Sequence, residues 1–89
     1  AAPQIQMEQL IGLDQTAAAN LLGQPAFQHE RPPAKVWTYS AGACELNLFF
    51  YADINTRVFR ALTYEFKSDD QSEAGKQRCL AELVRHHET

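Results

Sequence analysis

The stretch Cys44-Glu-Leu-Asn-Leu-Phe-Phe-Tyr-Ala52 alternates with a period of two, which is the periodicity of a β-strand. One face of the predicted strand is wholly apolar and carries Cys44, Leu46, Leu48 and Phe50. The other face begins polar, ends in two aromatics and carries Glu45, Asn47, Phe49 and Tyr51. Because the apolar face must pack against a core, we expect this strand to be the centre of a small antiparallel sheet.

Upstream of this strand, the sequence predicts a short helix over residues 14–22. Asp14 can cap the free amides of its first turn, and Gly23 supplies the left-handed residue that ends it. Residues 36–39 are rich in β-branched and aromatic side chains and predict a strand that leads into the central strand through a Gly-containing hairpin. An extra edge strand at residues 26–30 is compatible with the nearby prolines, because an edge tolerates proline.

Downstream, a short turn leads into a third predicted strand over residues 57–66. A final helix is predicted over residues 71–86 from its apolar stripe at helical spacing. Asp70 and Glu73 resemble a capping pair at the start of this helix. Gly75 is a weak point there, because glycine is a poor helix former.

These elements define a single α+β domain with the order helix, strand, strand, strand, helix. We expect two layers, in which short helices, including the C-terminal one, pack on one face of a three-stranded antiparallel meander sheet. A chain of 89 residues has the size of one domain. We expect residues 1–12 to form an N-terminal tail with a short helical turn, and residues 13–89 to form the domain.

Composition limits the classes of partner. The net charge of −3 and the lack of a Lys/Arg cluster argue against a nucleic-acid partner, since phosphate backbones are bound by basic patches. No apolar run approaches the roughly 20 residues of a membrane span. The sequence begins Ala-Ala-Pro-Gln without an initiator Met or a signal peptide, and we expect a trimmed or mature protein from which any export signal has been removed.

The chain has two cysteines, and both are predicted to point inward. Cys44 lies on the apolar face of the central strand, and Cys79 lies on the apolar stripe of the final helix. This agreement favours a disulfide, which would stabilise the domain by about 3–4 kcal/mol and would require an oxidising compartment. The alternative is two buried free thiols, because an unpaired Cys often packs as a small hydrophobe.

The aromatic side chains on the second face of the sheet are the candidate binding site. We expect Phe49, Tyr51 and Phe59 to lie on the face away from the cysteines, with Trp37 or its strand neighbours close by. Along the third strand, Phe59 and Ala61 share one face, and Val58, Leu62, Tyr64 and Phe66 share the other. Arg60 interrupts the second set, where it marks a bulge or reaches past the rim of the core. Exposed aromatics rimmed by polar groups mark protein interfaces.

The alternative for these aromatics is an ordinary second core. The covering residues would then be Met7, Leu10 and Ile11, or the proline-containing loop of residues 24–35. A face left open by the chain favours the interface, and a face sealed by the N-terminal segment favours the second core.

No pattern in the sequence indicates a metal site or catalysis. His86 and His87 are adjacent and point in different directions on a helix, and nothing supplies the four ligands of a structural zinc site. A cysteine nucleophile needs an exposed thiolate beside a histidine, whereas both cysteines are predicted to be buried and paired. We therefore expect no metal, no cofactor and no enzymatic activity.

Several short motifs occur in a fixed order along the chain. They are Gly12-Leu-Asp14, Leu21-Leu-Gly-Gln-Pro25, Trp37-Thr-Tyr39, Cys44-x-Leu-x-Leu-Phe49 and the late Cys79. Over roughly residues 10–85 this ordered set resembles the SmpA/OmlA (BamE-like) class of small bacterial outer-membrane lipoproteins. The resemblance implies two short helices on one face of a three-stranded antiparallel sheet, in the periplasm, usually tethered by an N-terminal lipidated Cys.

The resemblance also implies a function, namely the binding of a partner protein through the open face of the sheet. The beta-lactamase inhibitor proteins have a related fold and use the open face of the sheet to grip a partner. We therefore expect a periplasmic, outer-membrane-associated interaction module that binds another envelope protein, as an accessory to envelope or outer-membrane protein assembly. The alternative is an inhibitor or regulator of an envelope enzyme that binds through the same face. Two features depart from the family pattern. No lipobox Cys precedes Ala1, so we expect any lipid anchor, and with it any attachment to the membrane, to lie outside this sequence. The C-terminal helix that carries Cys79 is an addition to the minimal fold.

Overall fold

The computed structural model of the chain describes residues 6–88. Its elements, in chain order, are a 3₁₀ turn Met7–Leu10, α1 Gln15–Leu22, β1 Phe27–Arg31, β2 Ala34–Ala41, β3 Cys44–Ala52, β4 Phe59–Lys67 and α2 Glu73–Glu88. The strands form one antiparallel sheet in the order β1-β2-β3-β4. The fold is therefore α+β as predicted, but the sheet has four strands, and the prediction of three was wrong. Of the predicted N-terminal tail, residues 1–5 lie outside the described residues.

The fourth strand is the edge strand β1, which lies close to the additional strand predicted for residues 26–30. All five of its residues are exposed, so it lacks the apolar alternation that identifies a strand in a sequence. It is held by its pairing with β2, which runs from Phe27 opposite Thr38 to Arg31 opposite Ala34. A two-residue loop, Pro32-Pro33, joins the two strands.

The strand β3 is central, and its bounds agree with the prediction. Its apolar face, here called the inner face of the sheet, packs against the helices, and Leu46, Leu48 and Phe50 are fully buried there. Helical residues of the same core cluster are Ala18, Leu22, Leu80, Leu83 and Val84. The opposite side, here called the outer face, carries the alternate residues of each strand. Both helices therefore lie on one face of the sheet, as predicted.

The strand β4 contains a bulge that changes which residues face the core. The pairing with β3 shifts at the step from Phe49 to Phe50, because Leu62 is left without a partner in β3. Residues before the bulge thereby exchange faces, so Ala61 and Phe59 pack against the inner core. The prediction that Phe59 lies on the outer face was wrong for this reason.

The segment that precedes α1 covers part of the free edge of β4. The Gly12 N–H donates to the Ala61 carbonyl at 2.7 Å, and the Ala61 N–H donates to the Leu13 carbonyl at 2.8 Å. Asp14 forms an isolated bridge with Arg60 next to these bonds. This edge of the sheet is therefore partly paired within the chain.

The helix α1 begins and ends as predicted. The Asp14 carboxylate accepts a hydrogen bond from the Ala17 N–H at 2.8 Å, and Gly23 ends the helix with a φ of 83°. The Tyr39 hydroxyl donates to the Gly23 carbonyl at 3.0 Å, which ties the end of the helix to β2.

The start of α2 differs from the predicted capping pair. The Ser72 hydroxyl accepts from the Gly75 N–H at 3.1 Å, and the Asp70 carboxylate accepts from the Ser72 N–H at 2.9 Å. Glycine at position 75 allows the close approach of Asp70, since a Cβ here would lie 2.5 Å from the Asp70 carbonyl oxygen. Arg78 completes the cluster through an ion pair of 2.7 Å with Asp70.

Candidate functional site

The outer face of the sheet is the candidate site, and the strand pairing arranges it in rows that cross the sheet. The row at one end is Arg31, Ala34, Tyr51 and Arg60. The next is His29, Val36, Phe49 and Thr63. The third is Phe27, Thr38, Asn47 and Glu65, and the last is Ser40, Glu45 and Lys67. The surface therefore grades from two arginines, through an aromatic and aliphatic middle, to a mixed-charge end.

The middle of the outer face is apolar and partly exposed. Val36 is only 5% exposed although it lies outside the inner core cluster, so the neighbouring outer-face side chains shield it. Phe49, opposite Val36 in β3, is half-buried. Phe27 is 62% exposed, and its ring stacks on His29 with centroids 6.2 Å apart. Together these residues present a ready apolar contact surface.

A shallow concavity of about 520 Å³ lies over this middle region. All four strands line it, through Phe27, His29, Glu30, Arg31, Val36, Thr38, Glu45, Asn47, Phe49, Glu65 and Lys67. None of these residues belongs to a helix or to the N-terminal segment. Within residues 6–88, the chain leaves this concavity open.

The polar end of the outer face is organised by its own hydrogen bonds. The Thr38 hydroxyl donates to Asn47 Oδ1 at 2.6 Å in a buried contact, and Asn47 Nδ2 donates to Glu45 at 3.4 Å. Lys67 Nζ lies 4.0 Å from the Glu45 carboxylate and 3.9 Å from that of Glu65. The buried amide and hydroxyl are thus satisfied within the face, which fixes their side chains in place.

The arginine end combines two cations with an aromatic ring. Arg31 and Arg60 stand in the same row as the half-buried Tyr51. Arg60 Nη1 donates to the Gly12 carbonyl at 3.1 Å, so this guanidinium is anchored at the edge of the sheet. An anionic group placed over this row would meet positive charge from both sides.

Two of the four residues predicted for the binding face do not belong to it. Trp37 lies opposite Leu48, is 8% exposed and meets Phe50 edge to face with centroids 5.0 Å apart, so it is a core residue. Phe59 packs against the same core, and Lys35 Nζ lies over its ring, 4.4 Å from the centroid. The placement of Trp37 and Phe59 beside the outer aromatics was therefore wrong.

The other two predicted residues, Phe49 and Tyr51, lie on the outer face. Sequence reasoning missed the contribution of β1, which adds Phe27, His29 and Arg31 to that face. No apolar alternation marks residues 27–31, so the assignment of these side chains to the outer face required the pairing of β1 with β2.

The alternative of a second core under the N-terminal segment was wrong for the residues that the structure describes. Met7 and Leu10 are buried in the inner core cluster, on the side of the helices. Ile11 is 45% exposed. The proline-containing loop supplies β1 itself, which widens the outer face.

The disulfide between Cys44 and Cys79 is confirmed. It joins β3 to α2 across the inner face, with Cα atoms 5.5 Å apart. Both thiols are consumed by this bond, so neither is available as a nucleophile.

The phenol groups of Tyr39 and Tyr64 lie on the inner side of the sheet, where their surroundings raise their pKa values. Burial raises the pKa of Tyr39, whose hydroxyl is bonded to Gly23. Burial, and after it the charges of Glu8 and Glu73, raise the pKa of Tyr64. Both phenols are therefore neutral at physiological pH.

In the described part of the chain, no three His, Cys, Asp or Glu side chains lie close enough together to hold a metal ion. No helix over these residues is long and apolar enough to cross a membrane.

Comparisons with protein-family models, with curated proteins and with solved structures found no match to the chain. Its function must therefore be inferred from its own residues and fold.

Proposed function

We propose that this chain is a non-enzymatic protein-interaction module that binds a partner protein through the outer face of its sheet. The observation that carries the proposal is the open apolar middle of that face, where Phe27 and Phe49 remain accessible and no described helix covers them, with the half-buried Tyr51 in the adjoining arginine row. Aromatic residues at the centre of a patch, with charges at its rim, are the usual composition of a binding hot spot.

The partner is expected to present an apolar centre with acidic groups on one side. The apolar centre would fill the concavity over Val36 and Phe49. The acidic groups would face Arg31 and Arg60, since complementary charges fix the orientation of a complex and speed its formation.

We further propose that the module works in the bacterial periplasm, close to the outer membrane, as an accessory to envelope or outer-membrane protein assembly. The disulfide supports an oxidising compartment, because such bonds rarely persist in the cytosol. The resemblance to the SmpA/OmlA (BamE-like) class supports the envelope, a lipid anchor N-terminal to this sequence, and a BamE-like fold with one strand and one helix added.

A second candidate function is the inhibition or regulation of an envelope enzyme. One observation favours it: Ile54, in the loop that joins β3 to β4, is 94% exposed. This loop leaves the sheet at the end that carries Tyr51 and Arg60. An apolar side chain on a projecting loop beside a binding face has the form needed to enter the cleft of an enzyme.

Photo-crosslinking in living cells tests the main proposal. A photoreactive phenylalanine analogue at position 49 should capture one protein, whereas the same analogue at Ala81, exposed on α2, should not. Equal capture at the two positions would contradict an outer-face interface.

Purified partner and chain then give the energetic test. The double variant Phe49→Ser and Tyr51→Ser should weaken binding at least about 30-fold while the domain stays folded, which is the loss expected for hot-spot residues. If this variant unfolds, the two residues are core and the proposal fails. If Ile54→Ser abolishes binding and the double variant does not, the loop is the binding element and the second candidate is favoured.

A further inference from the structure

Among residues 6–88, the strand β1 is an unpaired edge of the sheet. It is bonded to β2 on one side, and no described strand lies on the other. Alternate backbone N–H and C=O groups of such an edge point outward and can accept another strand. The opposite edge differs, since β4 is partly covered by the bonds of Gly12 and Leu13 to Ala61.

The sequence of β1 is complementary to itself when two copies run antiparallel about His29. The opposed pairs are then Phe27 with Arg31, Gln28 with Glu30, and His29 with His29. The Arg31 guanidinium can form a cation–π interaction with the Phe27 ring, and the Gln28 side-chain amide can donate a hydrogen bond to the Glu30 carboxylate. The twofold axis makes each of the first two pairs occur twice.

Neighbouring registers lack this complementarity. A shift of two residues, which keeps each side chain on its face, sets Glu30 opposite Glu30 in one direction and Gln28 opposite Gln28 in the other. The first places two like charges together, and the second loses the Gln–Glu pairs. Like charges directly opposite each other destabilise a strand pair, so the chemistry selects the register centred on His29.

We propose that two copies of this chain associate through β1, antiparallel and centred on His29, so that two four-stranded sheets become one continuous sheet. Phe27, 62% exposed in the single chain, would be covered by Arg31 of the second copy on the shared outer face. Pro32, directly after the strand, limits the pairing to five residues. A twofold contact uses up the free edge of β1 in both copies, so it closes at the dimer.

This proposal does not rest on the proposed partner binding, although Phe27 and Arg31 belong to both contacts. The interface of the dimer is small. A five-residue strand pair lies below the standard size of stable complexes, so the dimer is expected to be weak and concentration-dependent. Sedimentation equilibrium from about 10 µM to about 1 mM should show conversion of monomer to dimer and no larger species. A monomer over this whole range would overturn the proposal.

Charge variants at exposed positions of β1 test the pairing itself. Gln28→Glu sets carboxylates opposite each other twice and should weaken the dimer about tenfold. Gln28→Lys forms two ion pairs with Glu30 and should strengthen it. The exchange Gln28→Glu with Glu30→Gln restores the original pairs and should restore the affinity. An exchanged variant as weak as Gln28→Glu would refute the register.

Cysteine substitution gives a second, independent measurement. In the proposed register, position 29 opposes itself with Cα atoms about 4.5–5.5 Å apart, within the range of a disulfide. His29→Cys should therefore form a covalent dimer under mild oxidation, with the Cys44–Cys79 bond kept intact. Gln28→Cys is the matched control and should form the covalent dimer much more slowly. Equal rates for the two variants would contradict the central position of His29.

Discussion

The two faces of this sheet are built from the same strands, yet they differ in what covers their buried side chains. On the inner face, Leu48 and Phe50 are fully buried beneath two helices that a disulfide and capped ends hold in place. On the outer face, Thr38 and Asn47 are also buried, but among the described residues no helix packs over them, and their side chains bond to each other within the face. The period of two lets one strand supply stability to one side and a recognition surface to the other.

The difference lies in what holds each face in shape. The inner face is fixed by packing against another layer, so a lost methylene leaves a cavity. The outer face is fixed by hydrogen bonds within its own plane, such as that from Thr38 to Asn47. A surface ordered before binding loses less conformational entropy when a partner arrives. The outer face can therefore remain open and still be well defined.

The largest effect is expected from adjacent residues on opposite faces. Phe50→Ala should lower the free energy of unfolding by about 3–5 kcal/mol, because it opens a cavity in the inner core. Phe49→Ala should lower it by only about 1 kcal/mol, because its side chain is half-buried and no element within residues 6–88 packs over it. Urea denaturation of both variants measures the difference. Equal losses would show that the outer face is a second core.

Loss of the disulfide tests how far the inner layer depends on its covalent link. Replacement of both Cys44 and Cys79 by Ala should destabilise the domain by about 3–4 kcal/mol, since the bond restricts the unfolded chain. Thermal unfolding of the variant, and of the native protein with and without reductant, measures this loss. An unchanged melting temperature would mean that the helices hold to the sheet without the bond.

Substitutions in the buried polar pair Thr38 and Asn47 should change the free energy of unfolding by a smaller amount, and the second substitution should reverse most of the loss caused by the first. Thr38→Val removes the donor to Asn47 and should cost about 1–2 kcal/mol, because the amide is left unsatisfied. Adding Asn47→Leu should recover most of that loss, since both polar groups are then gone. A double-mutant cycle by urea denaturation measures the coupling. If the two losses simply add, the hydrogen bond does not order this face.

The parts of the fold that the sequence predicted well are those with a strong local signal. The central strand, the Asp14 cap, the end of α1 at Gly23 and the inward direction of both cysteines all follow from period, capping chemistry and burial. Phe49 and Tyr51 were assigned to the correct face for the same reason, since they lie on the strand whose alternation is clearest.

The errors arose where pairing across the sheet overrode local pattern. Phe59 lies on the other face because Leu62 is an extra, unpaired residue in β4, and one extra residue inverts the facing of every residue that precedes it in the strand. Trp37 is predicted beside the outer aromatics, but its pairing with Leu48 places it in the core. The edge strand was underrated because exposed strands lack an apolar face. None of these facts is encoded within a single stretch of sequence.

The smallest expected effect concerns the start of α2, on which the packing of the inner face depends. Hydrogen bonds from the Ser72 hydroxyl and N–H, followed by the charge of Arg78, hold the pKa of Asp70 below its ordinary value of 3.8. Because the folded pKa is lower than the unfolded one, the stabilisation is complete above the unfolded value and disappears as the pH falls through the folded value. Asp70→Asn should therefore melt at a lower temperature than the native protein at pH 7.

The difference in melting temperature between Asp70→Asn and the native protein should shrink as the pH is lowered below about 4, where the unfolded carboxyl begins to protonate. Asp69→Asn, which removes the same charge from the adjacent exposed residue, should show a much smaller difference at every pH. Thermal unfolding followed by circular dichroism from neutral to acidic pH makes the measurement. A gap between native protein and Asp70→Asn that stays constant with pH would show that the carboxylate charge does not hold the first turn of α2. The helix would then depend on the Ser72 cap and the disulfide alone, and the inner face would be stabilised by packing without electrostatic support.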